Sequence, residues 1–75
     1  MTTQFTTITD VTDELARLDP AITDELTEDQ VREIVRRYAD GGYEAITQAS
    51  VEQMLIDLYM ATGADEATAR RMLQN

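Results

Sequence analysis

The chain has 75 residues, of which 15 are acidic and 6 basic, and its formal net charge is −9. A chain of this length supports one small hydrophobic core, and a deep active-site cleft would compete with that core for residues. Because it contains neither cysteine nor histidine, the chain has no disulfide, no thiolate ligand, and neither the commonest metal ligand nor the usual general base. The composition excludes a disulfide scaffold and argues against an enzyme, a cofactor and a metal site.

The first nine residues are predicted to be a flexible or loosely packed arm, followed by a single helical domain over residues 10–75. Threonine dominates this arm, and no apolar periodicity runs through it. Residues Met1 to Ile8 carry neither a charged side chain nor an apolar run, so we expect neither a signal peptide nor a membrane span. A cytoplasmic location follows as the expectation.

Two short helices are predicted next, over about residues 11–18 and 20–26. The apolar residues of the first recur at helical spacing. Asp10 precedes them, where its carboxylate would accept hydrogen bonds from free backbone amides. Pro20 suits the first turn of the second helix, because the amide that proline lacks is unpaired there in any case.

A stronger signal predicts the next helix, over about residues 28–39. Thr27 and Gln30 have the spacing of a capping box, in which each side chain bonds the backbone amide of the other. Gly41 and Gly42 allow the left-handed backbone that ends a helix. One apolar stripe runs along this helix and is predicted to face the core, formed by Val31, Ile34, Val35 and Tyr38.

The helix predicted over about residues 51–62 is apolar on nearly all sides. Ser50 and Gln53 repeat the capping-box spacing at its start, and Gly63 follows its end. A helix of this kind is either central to a bundle or partly buried against a partner. On the second interpretation, the candidate partner-binding residues are Ile56, Tyr59 and Met60.

A last helix is predicted over about residues 66–73, beginning at Asp65 or Glu66. Arg70 and Arg71 lie near its carboxyl end, where positive charge favours the helix dipole. The side chains predicted to face inward are Ala69, Met72 and Leu73. The sequence therefore predicts an all-α fold, a small bundle of three main helices with one or two short N-terminal helices.

Residues 26–73 resemble the trihelical helix-turn-helix domains. Leu58 to Leu73 (LYMATGADEATARRML) looks like the helix-turn-helix itself, and Leu26 to Gly42 is similar to the first helix of such domains. The resemblance implies that Gly63 is the turn glycine and that Asp65 begins the recognition helix. It also implies the DNA-contacting residues, namely Thr68, Arg70 and Arg71.

The sequence departs from that family in three respects. Tyr59 stands four positions before Gly63, where a small residue normally lets the two helices pack closely. The connection from Gly41 to Ala49 is longer than usual. Asp65 and Glu66 place negative charge at the end of the recognition helix that would face phosphate, and the net charge of the chain disfavours nucleic acid as a partner.

Three functions remain open from the sequence. The first is a non-enzymatic protein that regulates or inhibits through a protein partner or self-association, with no membrane and no small-molecule substrate. The second is a helix-turn-helix transcriptional regulator. The third is a phage-type acidic inhibitor that mimics nucleic acid. A solvated acidic surface, including the kind found in salt-loving archaea, explains the charge without any partner.

Overall fold

The computed structural model describes residues 5–74. Within that range the chain folds into α-helices and one 3-10 turn, without a β-strand. In chain order these are α1 (Ile8–Leu18), α2 (Pro20–Glu25), α3 (Glu28–Tyr38), the 3-10 turn (Tyr43–Ala45), α4 (Gln48–Ala61) and α5 (Glu66–Gln74). The predicted all-α bundle is confirmed. No helix in the described part of the chain has the length and apolar character needed to cross a membrane.

Helix α4 forms the centre of the bundle. It packs against α1, α3 and α5, and the side chains that it buries are Val51, Met54, Leu55, Ile56, Leu58 and Tyr59. Burial of one large apolar side chain contributes about 1.5–3 kcal/mol. The nearly all-round apolar pattern of this helix is therefore explained by its central position.

Helix α1 begins earlier than the sequence indicated. Its N-cap is Thr7, whose Oγ1 accepts from the Asp10 amide at 3.3 Å, while Asp10 Oδ2 accepts from the Thr7 amide at 3.1 Å. The prediction that Asp10 is the capping residue was wrong, since Asp10 is the third helical residue of a capping box. Of the predicted arm, residues 1–4 lie outside the described residues, and Phe5 is buried in the core.

Helices α2 and α3 begin where the sequence predicted. Asp19 caps α2 and Pro20 is its first residue. At α3, Gln30 donates its amide hydrogen to Thr27 Oγ1 at 3.2 Å and accepts from the Thr27 amide at 2.9 Å, so both bonds of the capping box form. The apolar stripe of α3 faces the core, with Tyr38 half-buried. After the helix, Gly42 alone of the glycine pair has a positive φ, +91°.

Helix α4 begins before its predicted start. Thr47 is its N-cap and accepts from the Ser50 amide at 3.2 Å, so the prediction of Ser50 as the cap was wrong. Ile46 and Val51 flank this cap and are both buried. A buried apolar pair at these two positions is typical of a hydrophobic staple, which fixes how the chain approaches the helix.

Helix α5 packs on α4 through a narrow stripe. Ala69 is fully buried and Leu73 half-buried, because residues four apart lie on one face of a helix. Met72 was predicted to face inward, but its exposed fraction is 44%. Met72 lies beside the narrow stripe that this short helix buries. Gly63, with a φ of +112°, makes the turn between α4 and α5.

Candidate functional site

The three candidate partner-binding residues on α4 differ in exposure. Ile56 and Tyr59 are each only 3% exposed, whereas 43% of Met60 is exposed. A side chain that packs inside the domain presents almost no surface to another molecule. Of the three residues, the structure leaves Met60 accessible.

Tyr59 has a contact that explains its burial. Its hydroxyl donates to Asp19 Oδ2 at 2.6 Å, across the boundary between α4 and the α1–α2 junction. Burial, and next the hydrogen bond to Asp19, raise the pKa of Tyr59 to about 12. A phenol with this pKa stays protonated at neutral pH, so the contact serves as a structural hydrogen bond between helices.

A second tyrosine makes the same kind of contact. The Tyr38 hydroxyl of α3 donates to Asp57 Oδ2 of α4. Burial, and next the hydrogen bond to Asp57, raise the pKa of Tyr38 to about 12. Each tyrosine–aspartate pair links two helices through one side-chain hydrogen bond, between residues 19 and 40 positions apart in the chain.

The three residues that the helix-turn-helix resemblance implies as DNA contacts, Thr68, Arg70 and Arg71, are all exposed on α5. Arg70 is engaged within its own helix, where Nη2 donates to Glu66 Oε1 at 2.9 Å. Asp65 Oδ1 accepts from the Thr68 amide at 2.7 Å, and bonds from Thr68 hold the pKa of Asp65 below its usual value. A carboxylate therefore occupies the helix end to which a phosphate would bind.

Large apolar side chains that stay exposed mark the surface at three places. Among the described residues these are Leu18, Met60 and Met72, with exposed fractions of 38%, 43% and 44%. They lie in two separate depressions, since Met60 lines one and the other two line the second. Single exposed apolar residues are common on proteins. The residues around each of these side chains therefore decide whether it is a candidate for binding a partner.

The larger depression is an open groove between α3 and α4, with a volume of about 700 Å³. Hereafter it is called the α3–α4 groove. Its apolar part consists of Ile34, Met60 and Ala61. Its polar and charged lining consists of Asp29, Gln30, Glu33, Arg37 and Asp57.

The residues that line this groove follow a regular spacing in the sequence. Asp29, Glu33 and Arg37 recur every four residues and therefore share one face of α3, next to the core stripe. Asp57 and Met60 are three residues apart on α4, so they also lie on a common face. Neither pattern indicates that the two faces adjoin, because that depends on how α3 packs against α4.

The smaller depression lies between the end of α1, α4 and α5, with a volume of about 230 Å³. It is called the α1–α5 cleft below. Its exposed apolar residues are Leu18 and Met72, and two carboxylates, Asp19 and Glu52, also line it. Asp19 already bonds Tyr59 and the Ile22 amide, so one of the two carboxylates is committed to the fold.

Some of the surface charges pair within a single helix. The ion pairs found within residues 5–74 each join two residues of one helix, namely Arg17 with Glu14, Arg32 with Glu28 and Arg70 with Glu66. Five of the six partners are well exposed, and exposed ion pairs contribute little to stability, whereas Glu14 has only 13% of its side chain exposed. Residues 5–74 contain no convergent group of three or more acidic side chains that would hold a metal ion.

Comparisons with protein-family models, with curated proteins and with solved structures find no significant match to this chain.

Proposed function

We propose that this protein is a non-enzymatic interaction domain that regulates or inhibits a basic protein partner by binding it, in the cytoplasm. One observation supports the proposal above the others. Each of the exposed large apolar side chains in residues 5–74 lies in a depression that carboxylates also line. Apolar residues beside acidic ones suit a partner surface with apolar anchors among lysines and arginines.

The two kinds of side chain contribute differently to such binding. Buried apolar anchors in the middle of an interface supply most of the affinity. Charges at the rim increase the rate of encounter with an oppositely charged partner and disfavour other partners. With a net charge of −9, the domain attracts basic proteins over a distance of about 10 Å at moderate ionic strength.

Self-association is the less favoured form of interaction. Two copies would each bring a net charge of −9, and both depressions have acidic linings. A symmetric dimer through either depression would therefore place carboxylates opposite carboxylates, which costs free energy.

The test is affinity capture from a lysate of the source cells, followed by reconstitution of the complex from purified proteins. The control bait is the double variant Met60→Gln/Met72→Gln, which keeps the net charge at −9 and replaces two exposed apolar anchors with polar side chains. We expect the wild-type chain, and not the control, to form a stoichiometric complex with a basic protein. If both baits retain the same proteins, capture reflects ion exchange alone and the proposal is wrong.

DNA binding is the second candidate, since Thr68, Arg70 and Arg71 are exposed on the helix that follows the Gly63 turn. It predicts that a fluorescent duplex of about 25 base pairs binds the chain at low salt and that Arg70→Ala/Arg71→Ala abolishes the binding. Arg17→Ala/Arg32→Ala removes the same charge from other helices and serves as the control. Under the proposal made above, no DNA binding is expected.

Mimicry of nucleic acid is a special case of the first proposal. It requires that the captured partner bind nucleic acid through the surface that meets this domain. Duplex DNA would then compete with the domain for the reconstituted partner. If DNA does not displace the domain, mimicry is wrong and regulation through another surface remains.

A further inference from the structure

We propose that the α3–α4 groove is the docking site and that its occupant is a basic amphipathic helix of the partner. The inference deepens the proposed function and rests on it.

The apolar part of the groove provides places for anchoring side chains. Ile34 forms part of the core, with an exposed fraction of 6%, whereas Met60 and Ala61 are open to solvent. The thioether side chain of methionine is flexible and polarisable, so it adapts to the shape of an incoming residue. Leucine or isoleucine side chains of a helix would bury against this surface.

The rim of the groove determines the charge of the occupant. Asp29 and Glu33 lie one turn apart on α3, and Asp57 lies on α4. The Tyr38 hydroxyl bonds one oxygen of Asp57 and holds that carboxylate in place. Arg37 is the one basic residue in the lining, so carboxylates prevail on both sides of the groove. Lysines or arginines beside the apolar anchors of a partner would complement this negative charge.

The dimensions of the groove fit a helix. The rim residues of α3 run from position 29 to position 37, which corresponds to about 12 Å along the helix axis. Anchors at positions i, i+3 or i+4 and i+7 of a docked helix span about 10 Å. The volume of about 700 Å³ is also about three times that of the α1–α5 cleft. The larger groove is therefore the better receptor for several anchors at once.

Other occupants fit less well. A second copy of this chain would bring net negative charge to an acidic rim. Nucleic acid would bring phosphates to the same carboxylates. An amphipathic helix rich in lysine or arginine fits better, because it presents positive charge to the carboxylates and regularly spaced apolar residues to the apolar part of the groove.

The probe is a synthetic helical peptide of about 16 residues, with leucine at i, i+3, i+4 and i+7 and lysine elsewhere. Binding to the full chain is measured by fluorescence anisotropy, and the site is mapped by backbone amide shifts in NMR spectra. We expect the largest shifts at the groove residues Asp29, Glu33, Met60 and Ala61. A peptide with glutamate in place of lysine is expected not to bind.

Matched pairs of variants separate the groove from general acidity. Asp29→Asn/Glu33→Gln should weaken peptide binding about fivefold, whereas Asp24→Asn/Glu25→Gln makes the same charge change on α2 and should weaken binding much less. All four positions are exposed, and far-UV circular dichroism confirms the fold of each variant. Equal weakening by the two pairs would overturn the proposal.

The two exposed methionines give a second comparison. Met60→Ala should weaken binding about tenfold, whereas Met72→Ala in the α1–α5 cleft should not. Shifts that map to the α1–α5 cleft, or absence of peptide binding, would overturn the groove as docking site. The proposed function stands or fails separately, because a captured partner that binds Asp29→Asn/Glu33→Gln as tightly as wild type refutes only the groove.

Discussion

Asp19 contacts three helices through three different groups. Its backbone amide donates to Leu15 O at 2.9 Å at the end of α1. Its Oδ1 accepts from the Ile22 amide at 3.2 Å and so caps α2. Its Oδ2 accepts from the Tyr59 hydroxyl of α4. One aspartate therefore sets how α1 and α2 meet the central helix.

Asp19→Ala is predicted to destabilise the domain by about 2 kcal/mol, because it removes a helix cap and leaves the Tyr59 hydroxyl unpaired. Urea denaturation followed by circular dichroism measures the loss. When Tyr59 is already replaced by phenylalanine, Asp19→Ala should lower the free energy of unfolding by less, because no Tyr59 hydroxyl is left without a partner. Asp24→Ala, at an exposed position, is the control. An equal cost for Asp24→Ala would contradict this account of Asp19.

Tyr38 and Tyr59 predict how stability depends on pH at the alkaline end. Their pKa values are raised to about 12 in the folded protein from an ordinary value of about 10. Because folding raises these pKa values, their stabilising contribution is complete below pH 10 and is lost as the pH rises towards 12. The urea midpoint should fall over this interval, and less so in Tyr38→Phe/Tyr59→Phe. If the urea midpoint of that variant falls as steeply as that of the wild type, the two tyrosines are not the cause of the fall.

At the scale of the elements, the caps explain where each of the longer helices starts. Thr7, Thr27 and Thr47 each accept a backbone hydrogen bond at a helix start. The sequence predicted the cap at Thr27 correctly, but it offered Asp10 and Ser50 three residues after the true caps. Several neighbouring side chains satisfy the chemistry of a cap. At Thr27 and Thr47 a buried apolar residue lies on each side of the cap, which favours these two threonines.

The start of α4 is tested by comparing two single substitutions. Thr47→Ala is predicted to cost about 1 kcal/mol, because it removes the acceptor for the Ser50 amide. Ser50→Ala is predicted to change stability by about 0.5 kcal/mol or less, since alanine favours the helix interior in which position 50 lies. The free energies of unfolding come from urea titrations. A larger cost for Ser50→Ala would show that α4 starts three residues later.

On the scale of the whole molecule, compactness and charge act against each other. The radius of gyration of the Cα atoms is 11.6 Å, close to the value of about 11 Å expected for a compact domain of this length. The net charge of −9 is confined to this small volume. Mutual repulsion of the carboxylates therefore opposes folding at low ionic strength.

Salt is predicted to have opposite effects on folding and on partner binding. Raising NaCl from about 20 mM to about 500 mM should raise the melting temperature by several degrees, because it screens the repulsion among carboxylates. The same change should weaken binding of the lysine-rich peptide. Asp24→Asn/Glu25→Gln should show a smaller rise in melting temperature. A melting temperature that is constant or falls with salt would contradict the role given to net charge.

Much of the fold was predictable from the sequence because its causes are local. The apolar stripe of α3, the cap at Thr27 and the turn at Gly63 each depend on a few neighbouring residues. The candidate site was less predictable. The sequence groups Met60 with Ile56 and Tyr59 as candidate partner-binding residues, because a helix that is apolar all round does not reveal which side faces outward. Of the three, Met60 alone is exposed.

Helix content, helix order and acidic character were determined by the sequence itself, since spacing and capping act over three or four residues and charge adds wherever it lies. Only the tertiary structure decided which side chains of α4 stay exposed to solvent. Packing of α1, α3 and α5 around α4 buries Ile56 and Tyr59 and leaves Met60 beside the acidic face of α3. Solvent exposure depends on contacts between helices that are distant in the chain, so no local pattern determines it.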